Sequence, residues 1–316
     1  RKGVLEQALK PEDRRAIIER RSRSTWHEDY ADMYQALYHA GELFERIDAL
    51  DLQIASVSAG LAAYTKHWWR VDYHYRKFQQ HCRKSGQGGF LEETAKRVEA
   101  RYLNDYHIHL ATRWEDVVGQ QSIWPPQGLP AQRDFFRDVV KPFIDKGQKL
   151  FVIISDALRY ECAHELLHRF LKEDRYQAEL EASLANLPTF TQMGMAALFP
   201  HEKLEIAEDG ATVTSDSQAT AGTEARQKLL SARSGVKAKV LQASEFLGLN
   251  TKTEGRPLMR EHELFYILHN VIDKVGDDKM TERDLTDACA RALDEVMEIA
   301  KKIANINGTN MVIAAD

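Results

Sequence analysis
The stretch "KLFVIISDALRYE", residues 149–161, decides how the chain is read. Leu150 to Ile154 form an unbroken apolar run, the pattern of a parallel strand covered on both faces. The run stops at Ser155 and Asp156, and a helix-like pattern, "LRYECAHELLHRFLKED", follows at once. A buried strand that delivers a carboxylate to its own carboxyl end places an acid where open α/β sheets bind ligands.

Outward from this point the chain repeats the same texture. "YQAELEASLA" (176–185), "VKAKVLQA" (236–243) and "HELFYILH" (262–269) read as further strands. "TERDLTDACARALDEVMEIAKKIANIN" carries Leu285, Ala292, Val296, Ile299 and Ile303 on one helical face, and "TNMVIAA" begins a last strand. Strands alternating with helices imply a layered α/β domain with a largely parallel sheet. The first part differs. Met33, Leu37, Ala40, Phe44 and Ile47 share a face at helical spacing, and "EETAKRVEARYLNDYHIHLATRW" (92–114) repeats the pattern. "WPPQGLP" (124–130) is the strongest punctuation. The expected organisation is a helical domain over 1–125, a linker and the connecting helix "QRDFFRDVVKPFIDKG" within 126–148, and an α/β domain over 149–316.

Composition narrows the setting. The 316 residues are 43% hydrophobic and carry a net charge of −5, which argues against a nucleic-acid coat spread over the whole surface. Cys82, Cys162 and Cys289 are too scattered for a disulfide framework or a paired zinc motif, which points to a reduced, cytoplasmic setting. No apolar run reaches membrane-spanning length. The start at Arg1 and the finish on "NMVIAAD" suggest a piece of a longer protein.

Two strands end in aspartate, at Asp156 and Asp316. Neighbouring carboxylates on one rim repel each other unless a cation lies between them, so a divalent metal explains the pair economically; capping of the next helix explains Asp156 alone equally well. In "HNVIDKVGDD", Asp273 and Asp277 stand four apart, on one face of a helical turn; a solvated acidic turn fits as well. His269 is a further ligand candidate, and His164 and His168 have chelating spacing but stand beyond the strand end. "LPTFTQMGMAALFP" (187–200) offers two hydroxyls, Thr189 and Thr191, before a helix start, where an oxyanion or phosphate is stabilised. N-capping accounts for one threonine and leaves the other for nucleophilic attack. Arg226 is a candidate phosphate contact or surface ion pair. "YTKHWWRVDYHYRKFQQHCRK" (64–84) interleaves aromatics with Arg70, Arg76 and Lys77, the composition of a single-strand nucleic-acid platform, or of an amphipathic helix with an aromatic core face.

"VIISDALRYE", "LPTFTQMGMAALFP", "TAGTEARQKLL" and "LHNVIDKVGDDKMTE", in that order, resemble the PglZ domain, a branch of the alkaline phosphatase superfamily found in BREX-type phage defence. The resemblance implies an alkaline-phosphatase-like layered α/β domain preceded by helices. It implies a phosphatase or phosphodiesterase, possible on DNA, with two divalent metals, zinc or else magnesium or manganese. Other BREX proteins would be partners. Asp156 would be the first metal ligand. Related phosphodiesterases carry Pro-Thr-x-Thr with the second threonine as nucleophile, which favours Thr191 over Thr189. They also hold one metal through Asp-x-x-x-His, where this chain has Asp273 to Asp277 and no histidine. Asp316 matches the aspartate of an Asp-His-Gly motif. A nucleic-acid-binding or scaffolding subunit with a degenerate site is the alternative. As the histidine after Asp316 is absent, the 316 residues are expected to bind metal weakly or at one site and to hydrolyse poorly; two tight sites in calorimetric titration would overturn that.

Overall fold
The computed structural model describes residues 16, 19–20, 27–86, 88–276 and 285–316. It divides into two compact units, Arg1–Ser122 and Ile123–Asp316.

The first unit is helical. Helix α1 (His27–Asp48) carries the expected stripe inward: Ala40, Phe44 and Ile47 are buried, with Met33 and Leu37 partly so. Helix α2 (Val57–Ala63) starts on Ser56, whose Oγ accepts from Ala59 N. It runs through a π-helical turn (Tyr64–Trp68) into α3 (Trp69–Lys84). Helix α4 (Gly88–Arg101) passes through a second π-helical turn (Tyr102–His107) into α5 (Ile108–Gly119). The two widened turns point their tyrosines at one acid. Tyr64, Tyr102 and Tyr106 donate to the Asp72 carboxylate at 2.7, 2.9 and 3.1 Å. A partly buried carboxylate is tolerable when donors surround it in this way.

Helices α1 and α3 also share a polar seam. His39 and His74 meet Nδ1 to Nδ1 at 2.8 Å, and seven residues away along each helix His81 meets Asp32 at 2.7 Å. His67, His74 and His81 stand seven apart along this stretch, with His74 buried, His81 partly buried and His67 exposed.

The aromatic and basic stretch faces the same core. Trp68, Trp69 and Phe78 are buried, and Tyr75 stacks on Tyr102 while donating to Glu99. Arg76 is 3% exposed, and the Arg70 guanidinium lies over the Trp69 ring. Several of its rings are thus committed to packing and Arg76 is withdrawn from solvent, while Arg70 and Lys77 are partly exposed and Lys66, Arg83 and Lys84 exposed.

The second unit is an α/β layer structure. Strands β1 (Leu150–Ser155), β5 (Ala238–Gln242), β6 (Leu264–His269) and β7 (Met311–Ala314) form a parallel sheet in the order β5-β6-β1-β7. Strands β2 (Leu204–Ile206), β3 (Val213–Ser215) and β4 (Gln218–Ala219) form a small antiparallel sheet. All residues of β1 and β6 are buried, as their apolar runs require, each large side chain contributing about 1.5–3 kcal/mol.

Helices cover both faces. Phe151 and Ile153 pack with α7 (Tyr160–Leu171) and α13 (Leu285–Asn305). Val152 and Ile154 pack with α8 (Thr191–Ala197) and α9 (Gly222–Arg233). Smaller helices α10 (Ala243–Gly248), α11 (Arg256–Glu261) and α12 (Val271–Gly276) complete the first layer, and α6 (Lys141–Asp145) belongs before β1.

Two expectations change. Residues 176–183 join no sheet, and Leu184 makes a single parallel bridge to Ala131. Their alternation is real, but strand propensity is realised only beside a partner, and here Tyr176 turns onto Phe170 instead. The connecting helix is broken into a 3-10 turn (Gln132–Asp134), a π-helical turn (Phe136–Val140) and α6, with Pro142 in its first turn.

Burial, then the neighbouring His74, His81, Lys77 and Arg76, hold the His39 imidazole down to about 2. It stays neutral in the fold while its unfolded counterpart protonates near pH 6.5, so stability is lost as pH falls through that value. This group alone is expected to remove about 2 kcal/mol between pH 7 and pH 5. Chemical-denaturation curves at the two pH values check it: the difference should shrink when His39 and His74 are both replaced by Leu.

Candidate active site at the carboxyl edge of the sheet
Alternation along β1 separates its last two polar residues. Ser155 goes to the α13 face, where its Oγ meets His269 Nδ1 at 2.9 Å. His269 is 1% exposed, and burial lowers it to about 4, so its 3.9 Å approach to Glu295 is not an ion pair near neutral pH. His269 is a packed histidine and not a member of the acidic rim.

Asp156 follows on the opposite face, that of α8 and α9. Its N–H donates to His269 O at 2.9 Å, and the chain then turns through Ala157 at φ 58, a left-handed conformation that a non-glycine residue adopts at some cost. Ala157 N donates to Asp316 Oδ1 at 2.9 Å. The β1–β7 register, Val152 to Val312 and Ile154 to Ala314, continues to set Asp156 beside Asp316. The capping reading of Asp156 fails: the N-cap of α7 is Arg159, without a side-chain cap bond.

Asp156 is 3% exposed and its Oδ1 has no hydrogen-bond partner. Burial first, then hydrogen bonding to and like charge of Asp316, then Asp273, push its carboxyl far above the ordinary carboxylate range. Arg226 opposes this. It is 9% exposed, and Asp156 and Asp316 favour its charge against the burial that lowers it. Its Nε donates to Thr220 O at 3.0 Å, and Thr220 Oγ1 in turn donates to Val213 O in β3 at 2.6 Å. The small sheet thus anchors the guanidinium against the acids, and Arg226 is not a surface ion pair.

The threonine turn reaches the same edge. Thr191 is the first residue of α8, whose N-cap is Phe190 with no side-chain cap bond, so neither threonine is spent on capping that helix. Thr189 is exposed and Thr191 partly buried. One turn on, Gly194 abuts the end of β7: a Cβ there would stand 2.7 Å from the Asp316 carbonyl carbon. Residues three apart share a helix face, so Thr191 lies on the side of α8 turned toward Asp316.

Asp156, Asp316 and Arg226 are therefore brought together, with Asp273 near enough to raise Asp156 and Gly194, three residues after Thr191, packed against Asp316. Asp277 lies outside the described residues. His164 and His168 pair with each other on α7, ring centroids 5.2 Å apart. Among the described residues no three His, Cys, Asp or Glu side chains form a ready-made metal cage. The orphaned buried oxygen of Asp156 and the crowded carboxylates nonetheless fit a hard divalent cation, which takes oxygen ligands and relieves the repulsion.

The family described as "BREX system PglZ alkaline phosphatase-like domain" matches residues 135–316. The chain belongs to the PglZ family. The alkaline phosphatase-like protein BrxZ of Escherichia coli O9:H4 (strain HS) is 35% identical over 301 residues, 91% of this chain and 34% of that protein. The alkaline phosphatase-like protein PglZ of Bacillus cereus (strain H3081.97) is 31% identical over 305 residues, 95% of this chain and 35% of that protein. The similarity to these PglZ-family proteins extends into the helical unit, and the chain spans about a third of their length. Among the described residues, no helix is long and apolar enough to cross a membrane.

Sequence reasoning did not single out Gly194, Ala157 or Thr220. The small-residue run "GMAA" is the one local hint of a close approach. Gly194→Ala would improve intrinsic helix propensity by about 1 kcal/mol, yet it must push against the backbone of Asp316. A net loss of about 1–3 kcal/mol is expected from this overpacking, read as a lower Tm in calorimetry.

Proposed function
We propose that this chain carries the core of a cation-dependent phosphoryl-ester hydrolase that works in BREX phage defence, with Thr191 as nucleophile. The observation that carries the reading is the juxtaposition of Asp156 and Asp316 with the buried Arg226 beside them. An acidic rim with one anchored guanidinium suits a phosphate held between a cation and an arginine. Family membership and the relatives named alkaline phosphatase-like support the same reaction class.

Asp156, Asp316 and Asp273 would hold the cation, with Asp277 as a further candidate ligand. When bound, a zinc, magnesium or manganese ion supplies charge neutralisation and acidifies a neighbouring hydroxyl. The chain's own groups do the rest. Arg226 pairs with non-bridging phosphate oxygens and orients the ester. Thr191 Oγ1 gives up its proton to solvent and attacks phosphorus in line. A threonine O–P bond forms, the ester P–O bond breaks, and the leaving alkoxide takes a proton from water. Attack by water on the phosphothreonine then releases the phosphate and restores the hydroxyl. Diesters such as DNA and simple monoesters are both compatible with this chemistry, and other BREX proteins are the expected partners.

The test is hydrolysis of bis-(p-nitrophenyl) phosphate and of p-nitrophenyl phosphate by the intact protein, with and without a chelator. Asp156→Asn and Thr191→Ala are each expected to lower kcat by about a thousandfold or more. Arg226→Lys should cost about tenfold or more in kcat/KM, because the bidentate fork is lost. Unaltered turnover by Thr191→Ala would remove the nucleophile assignment. The second reading, a docking subunit with a degenerate site, is favoured by aspartate at 277 where the resembling phosphodiesterases carry histidine; cation binding without turnover of either ester would support it.

A further inference from the structure
A buried amide outside every motif joins the two halves of the candidate site. Gln132 is 5% exposed and lies just before the residues matched to the family. Its Nε2 donates to Ala315 O at 3.1 Å, next to Asp316, and its Oε1 accepts from Asn186 N at a long 3.4 Å. Its backbone N–H donates to Leu184 O at 2.9 Å, and Leu184 N donates to Pro130 O at 2.8 Å. Trp124 Nε1 adds a bond to Ala185 O at 2.8 Å. The segment that leads into Pro188 and Thr191 is thus held on a short ladder, and one side chain of that ladder reaches across to the end of β7.

We infer that Gln132 is a positioning residue that ties the segment preceding Thr191 to the strand end bearing Asp316, keeping hydroxyl and carboxylate in register. The inference rests on the reading of Thr191 and Asp316 as site residues. Its physical content is specific. Ala315 O needs a donor and Asn186 N needs an acceptor, and a primary amide carries both on one planar group. Glutamate supplies only the acceptor, alanine supplies neither, and asparagine is one methylene short. Gly194 makes the complementary contact after Thr191, so the nucleophile segment is bracketed on both sides against the last two residues of the chain. Without the amide, the segment keeps the bonds at Leu184 and Ala185 and the later contact of Gly194, but the part preceding Thr191 loses its tie to Ala315.

The experiment uses the intact protein with Gln132→Ala and Gln132→Glu. Both variants are expected to lower kcat about ten- to a hundredfold, as a misplacement of about 1 Å does, with KM changed less than about threefold. Hydrogen exchange followed by mass spectrometry should show faster exchange in both 185–192 and 311–316, the two segments the amide joins. Unchanged kcat per folded molecule in both variants, while Asp156→Asn abolishes turnover, would overturn the inference and leave the functional reading standing. Faster exchange in only one segment, or in neither, would overturn it as well. Should the unmutated protein hydrolyse neither ester, the functional reading falls and the exchange measurement still decides whether Gln132 couples the two segments.

Discussion
Two carboxylates pressed together at the carboxyl edge of a parallel sheet, one of them buried and the other partly exposed, are the constraint around which the α/β unit is arranged. Asp156 and Asp316 are held there by the sheet itself, through the register of β1 with β7 and the bond from Ala157 N to Asp316. Two such groups cannot both ionise at little cost without a compensating positive charge. Arg226 supplies one, braced by Thr220 and the small antiparallel sheet. With Asp273 also acting on Asp156, acids outnumber the guanidinium, and the balance is one that a divalent cation or a proton can complete.

The surroundings follow from that edge. Helix α8 lies close enough to β7 only because residue 194 has no side chain. Gln132 reaches the same strand end from the other direction. Close packing makes such an arrangement rigid, since a displaced helix or strand end would open voids or unpaired polar groups.

The helical unit solves a different problem. Its long helices bury polar layers as well as apolar ones: three tyrosine hydroxyls on Asp72, and the His39–His74 and His81–Asp32 pairs between α1 and α3. Such layers have one good alignment, whereas apolar faces slide with smaller penalties, so they favour a single register. The same packing takes up much of the aromatic content of 64–84: Trp68 and Phe78 belong to the core of the unit, with Tyr64 and Tyr75 packed against it.

Much of this was legible in the order of residues. Periodicity placed α1, α13 and the strands β1, β5, β6 and β7, because a helix or strand covered by a layer must repeat its apolar residues at its own period. The same periodicity misplaced a strand at 176–185, where alternation exists without a neighbour to bond. The acids Asp156 and Asp316 were visible because each closes an apolar run, and the Pro-Thr-Phe-Thr turn because hydroxyls precede a helix. Local pattern could not say that the two strands adjoin, that Ser155 and Asp156 part to opposite faces with His269 following Ser155, or that Arg226 turns inward. Nor could it mark Gly194 and Gln132, whose importance lies in contacts with residues more than a hundred positions away. The sequence by itself determined which groups stand at the ends of which elements, because those are short-range facts of period and punctuation. Only the tertiary structure decided which of them meet, because meeting depends on strand order and close packing between segments that the chain keeps far apart.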